Sequence, residues 1–104
     1  IHCNASPSNL RATGIYTAAY SASVPGWRLA QTLRKSMMAA TGAGDMGTEA
    51  RPDLAVLRTS RMPAALVECG FMSTSAELAL LRDSAYQAKL ARGIADGILS
   101  YLRG

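Results

Sequence analysis

The stretch 62–71, Met-Pro-Ala-Ala-Leu-Val-Glu-Cys-Gly-Phe, constrains this chain more than any other. Pro63 opens an apolar run and Gly70 closes it. A continuous apolar run of that length between such breakers reads as a strand buried on both faces. Pro63 suits the first strand position, where a missing N–H matters least. Glu68 then stands at the carboxyl end of a buried strand, where open α/β sheets bind their ligands. A buried carboxylate is costly unless it is paired, bound to metal or used in chemistry. Glu68 is therefore the first candidate functional residue.

The other segments supply partners for that strand. Residues 1–4 read as a strand tail, 5–9 as a turn-rich loop, and 14–20, with β-branched and aromatic residues, as a second strand. Ser23 is the expected N-cap of a helix with Pro25 in its first turn. Leu29, Ala30, Leu33, Met37 and Ala40 give that helix one apolar face, and Gly42 and Gly44 end it. Residues 45–52 read as an irregular surface loop and 53–58 as a short strand. Thr74 and Glu77 have capping-box spacing ahead of a short leucine-rich helix. Asp83 or Ser84 caps a last helix, with Tyr86, Leu90, Ile94, Ala95, Ile98 and Leu102 as its stripe. Gly93 and Gly97 predict a close approach of that helix to the sheet. The pattern is α/β, one domain over 1–104, with helices for both faces of a sheet.

Several function classes drop out. The net charge is +4, but the eleven basic residues are scattered and no aromatics interleave with them, which excludes a nucleic-acid footprint. No apolar run is long enough for a membrane span, and no signal peptide is visible. There is no GxSxG elbow, and Gly42-Ala43-Gly44 follows a helix with no Walker lysine behind it. Cys3 and Cys69 form no CxxC. Each follows a residue of interest, His2 and Glu68, so strand alternation turns the thiols away from any site those residues share. Both cysteines read as buried small hydrophobes.

His2 is the single histidine. A lone histidine is more often structural than a ligand. Joined with Glu68 at one sheet edge, it offers either a metal with an activated water or a general acid–base pair. A catalytic zinc takes three protein ligands and a water. This chain does not supply three, so any zinc draws its other ligands from upstream of Ile1 or from another chain.

Ile1-His2-Cys3-Asn4 resembles the Ser-Ile-His-Ala-Asn strand end of the zinc-dependent N-acetylmuramoyl-L-alanine amidases of bacterial cell walls. The order that follows agrees: Gly14-Ile15-Tyr16-Thr17, Arg28-Leu29-Ala30, Ala55-Val56-Leu57-Arg58, the stretch 62–71, and the closing helix with Ile94, Gly97 and Ile98. The resemblance covers nearly the whole chain. It implies a mostly parallel twisted sheet with helices on both faces, here lacking its first strands, as the C-terminal part of an amidase catalytic domain. It implies hydrolysis of the amide between N-acetylmuramic acid and L-alanine in peptidoglycan, outside the cytoplasm. His2 would be one ligand of a single Zn²⁺, Glu68 the catalytic acid–base, and Asn4 a substrate-binding residue. Ser73 departs from the family's usual Asn, a minor change because both suit turns.

Two rivals stay open. One is a degenerate amidase domain that binds peptidoglycan or a partner without cutting. The other is a small structural α/β domain with a buried His2–Glu68 pair. The absent early strands would leave a sheet edge that another chain or further residues cover. The 104-residue chain alone is expected to bind zinc poorly and to hydrolyse muramoyl-peptide little, which a direct assay on the purified chain checks.

Overall fold

The computed structural model describes residues 1–104 as four strands and four helices: β1 His2–Asn4, β2 Ile15–Ala19, α1 Pro25–Thr41, β3 Asp45–Ala50, α2 Ala55–Arg58, β4 Leu66–Phe71, α3 Ser75–Arg82 and α4 Ser84–Arg103. The strands form one sheet in the order β1-β4-β2-β3. The β1–β4 and β2–β3 pairs are parallel and the central β2–β4 pair is antiparallel. The sheet is thus mostly parallel, as expected.

Strand alternation divides β2 between two cores. Ile15 packs with Leu33 and Met37 of α1, Val67 and Cys69 of β4, and Tyr86 and Leu90 of α4. Tyr16 and Ala18 point the other way and pack with Leu57 of α2. Each fully buried aliphatic side chain contributes about 2 kcal/mol, so the first cluster dominates stability. Two long helices cover that face. Only the single turn of α2 covers the other, and the open remainder of that face is where a site can lie.

The helix ends follow local chemistry. Gly42 closes α1 in the left-handed region, φ 74°, with its N–H donating to the Met38 carbonyl. The Asp83 carboxylate caps α4 by accepting from the Tyr86 N–H at 2.9 Å. The N-cap of α1 is Val24, not Ser23, because the Ser23 hydroxyl is engaged with Ser21 instead.

Several expectations are corrected. Residues 45–50 are a strand, not a loop. Their polar sequence lacks alternation, yet the backbone pairs with β2, and the Arg34 guanidinium on α1 holds Asp45 and Thr48. Residues 53–58 hold a helical turn, not a strand. Leu54 and Leu57 lie three apart and both face the second core, a spacing that a short apolar run shares with a strand. β4 begins at Leu66, three residues after Pro63, and only one of its faces is closed. The Ala64 carbonyl lies so close to Gly26 that a Cβ there would stand 2.3 Å from it, so residues ahead of Leu66 brace α1. Gly93 and Gly97 admit α1 and not the sheet: a Cβ on Gly93 would lie 2.8 Å from the Met37 Cα.

The Thr74–Glu77 capping box does not form. The Thr74 hydroxyl donates to the Ala12 carbonyl. The Glu77 carboxylate accepts from the Phe71 N–H at 2.7 Å and the Gly14 N–H at 3.0 Å, tying the end of β4 to the start of β2. Hydrogen bonds to a charged group contribute about 1.5–3 kcal/mol each. Glu77→Ala strands both donors and is expected to lower stability by about 3 kcal/mol. Glu77→Gln keeps one acceptor oxygen and should lose roughly half as much. Urea unfolding of the two variants measures both.

Candidate active site

Register places three side chains in one row. His2 is the strand partner of Glu68 across β1–β4, and Tyr16 is its partner across β2–β4. All three line a cleft of about 380 Å³ on the sheet face opposite α1, together with Asn4, Glu49 and Arg51. The two residues predicted from sequence to meet do so, with His2 Nδ1 4.0 Å from Glu68 Oε1. That is an electrostatic contact, too long for a hydrogen bond.

Glu68 is the enclosed member of the pair, its side chain 13% exposed against 61% for His2. It is the third residue of β4, not its carboxyl end. Burial pushes its carboxyl above the ordinary range, and the neighbouring imidazole opposes that rise. Oε2 is buried without a hydrogen-bond partner. Glu68 lines the cleft and its carboxyl is desolvated, which equips it to take and return a proton.

The cysteines split. Cys69 faces the main core, where burial pushes its thiol up to about 11. Cys3 is exposed, because β1 is an edge strand with no helix over it, and both thiols are free. Asn4 lines the cleft while its Oδ1 accepts from the Ala5 N–H at 2.9 Å. Ser73 accepts from the Ser6 N–H at 2.8 Å, so it fastens the loop after β1 to the turn after β4.

Sequence reasoning missed Tyr16, Glu49 and Arg51. The Tyr16 hydroxyl donates to Glu49 Oε2 at 3.3 Å and lies 3.5 Å from Arg51 Nη1. Burial raises the phenol's pKa, Arg51 opposes the rise and Glu49 adds to it. Arg51 pairs bidentately with Asp53 at 2.9 and 2.8 Å, and the guanidinium holds Asp53 down at about 2. Period two along β2 was the available signal, since Tyr16 must face away from Ile15.

Nowhere in the chain do three His, Cys, Asp or Glu residues converge as a metal would require. The open imidazole of His2 beside Glu68 fits one ligand position; a complete three-ligand zinc set is not within these residues. No helix is long and apolar enough to cross a membrane.

The sequence profile of the N-acetylmuramoyl-L-alanine amidases matches residues 1–100. The chain belongs to that amidase family. It is 31% identical over 105 residues to N-acetylmuramoyl-L-alanine amidase LytC of Bacillus subtilis, covering 99% of this chain and 21% of LytC. The solved N-acetylmuramoyl-L-alanine amidase of Clostridium difficile 630 superposes with a TM-score of 0.91 at 38% identity, over 98% of this chain and 55% of that one. The CwlD amidase of Clostridioides difficile, solved in complex with the GerS lipoprotein, superposes with a TM-score of 0.90 at 27% identity, over 97% and 51%. The chain thus spans about half of these solved amidases and about a fifth of LytC.

The raised Glu68 pKa in this amidase chain has a consequence for stability. Protonation is favoured in the folded state, so the ionised form costs stability above the folded pKa. That cost disappears as pH falls below the unfolded value near 4.5. Glu68→Gln removes it. The variant is expected to be more stable than the parent at neutral pH and to converge with it in acid, read by urea midpoints across that range.

Proposed function

We propose that this chain is part of an enzyme that hydrolyses the amide joining the lactyl group of N-acetylmuramic acid to L-alanine in peptidoglycan, outside the cytoplasm. The observation that carries the reading is the row His2, Glu68, Tyr16 across three strands, with Glu68 lining the cleft and its Oε2 buried and unpartnered.

His2 would hold a zinc ion, with the other ligands supplied by further residues of the polypeptide or by another chain. When bound, zinc supplies Lewis acidity that lowers the pKa of water and polarises a carbonyl. Glu68 takes the proton of the attacking water at its carboxylate and returns it to the departing amine nitrogen. Its desolvation fits both halves of that task, because a carboxyl with a raised pKa holds the proton long enough to deliver it. Asn4, its Oδ1 engaged with the Ala5 N–H, keeps its amide hydrogens for the substrate at the cleft mouth. The open edge of β1 is proposed to be covered by further polypeptide or a second chain, and the GerS complex of CwlD is consistent with a partner.

A second reading, a binder that does not cut, draws support from the incomplete ligand set within these residues. The full-length protein separates the two. Glu68→Gln is expected to lower turnover of muramoyl-peptide by about 10²–10⁴-fold with zinc content retained, whereas His2→Ala should lose zinc by metal analysis. Full turnover in Glu68→Gln would sink the role of Glu68. Zinc-free parent protein that binds peptidoglycan without cleaving it would establish the binder.

A further inference from the structure

We propose that Glu49 recognises the free side-chain ammonium of the third stem-peptide residue, so that the enzyme prefers peptides in which that amine is not acylated. The inference rests on the amidase reading above and names the substrate feature that the far end of the same cleft selects.

Charge accounting along the cleft leads to Glu49. The ion pairs of the molecule are His2–Glu68, Arg34–Asp45, Arg51–Asp53 and Arg92–Asp96, and none involves Glu49. Arg51 is the guanidinium beside it, but Asp53 already holds that group bidentately. Asp53 sits between Arg51 and Arg58, which leaves Glu49 as the carboxylate at this end of the cleft with no ion pair of its own. The one polar partner of Glu49 is the Tyr16 hydroxyl, which occupies Oε2 and leaves Oε1 free. The Tyr16 contact also fixes the direction of the carboxylate, since the phenol is anchored in the second core.

Distance selects which group of the substrate meets it. Glu68 is on β4 and Glu49 on β3, with β2 between them. Two strand spacings across the sheet and a two-residue offset along it, since Tyr16 is level with Glu68 and Ala18 with Glu49, separate the two by about 12 Å. Two extended residues span ~7 Å, so the amine at the end of the third residue's side chain reaches Glu49 when the scissile amide lies at Glu68. The carboxylates of the stem peptide meet repulsion there. Acylation of the amine, as in a cross-linked peptide, removes the charge that Glu49 attracts.

The test uses the full-length protein and N-acetylmuramoyl-L-alanyl-γ-D-glutamyl-L-lysine, with its side-chain amine free or acetylated. Glu49 is exposed, so the effect is that of a surface ion pair, up to about fivefold. The parent is expected to show a KM about three- to fivefold lower for the free amine, and added salt should shrink that ratio. Glu49→Gln should bring the ratio to about one, and Glu49→Lys should invert it. Because the ratio is read within each variant, a change in overall activity does not obscure it. A parent that cleaves both substrates with equal KM, or a Glu49→Gln variant that keeps the preference, overturns the assignment of Glu49 and leaves the amidase reading intact. A parent that cleaves neither substrate overturns the amidase reading itself.

Discussion

The carboxylate of Glu68 is held in the middle of a strand that is paired on both edges, and the architecture turns on that placement. β4 lies between β1 and β2, and at Glu68 it is paired on both sides, with His2 and with Tyr16. Period two then sends Val67 and Cys69 into the main core and Glu68 to the opposite face. A one-residue slip would bury the acid among Met37 and Leu90 and expose Val67. The hydrophobic core therefore sets the register, and the register sets the acid.

The same logic explains why the site is open. The long helices both lie on one side, α1 against the sheet and α4 against α1, where Gly93 lets the backbones approach. On the other side only α2 is present, and its Leu57, with Leu54 just ahead of it, covers Tyr16 and Ala18 but leaves the row of Glu68 and His2 accessible. Polar groups on that face are tied to one another or reach solvent. The exception is Glu68 Oε2, which is buried and left unpartnered.

Much of this was legible from the residues. The strand at Ile15–Ala19, the helix Pro25–Thr41 with its glycine stop, and the aspartate cap of the last helix announce themselves by periodicity and by end chemistry. Glu68 announced itself as an acid within an apolar run, and His2 as the only imidazole. Two elements were illegible for physical reasons. Asp45–Ala50 carries no strand pattern because an edge strand is specified by its neighbour's free backbone groups and by Arg34, not by its own side chains. In Ala55–Arg58, four residues are too short a window for period two and period 3.6 to differ.

Residue type and spacing by themselves determined the α/β class, the long helices, the two groups with useful proton chemistry and the opposite facing of Cys69, since each follows from a local rule that needs no partner. The tertiary structure alone decided that Tyr16, Glu49 and Arg51 share the cleft, that Glu77 staples two strands, and that Gly93 meets a helix and not the sheet. The decisive contacts join residues far apart in the chain, as in Tyr16 with Glu49 at a separation of 33 and Gly14 with Glu77 at 63. A chain order carries no distance between such groups until strand register brings them together.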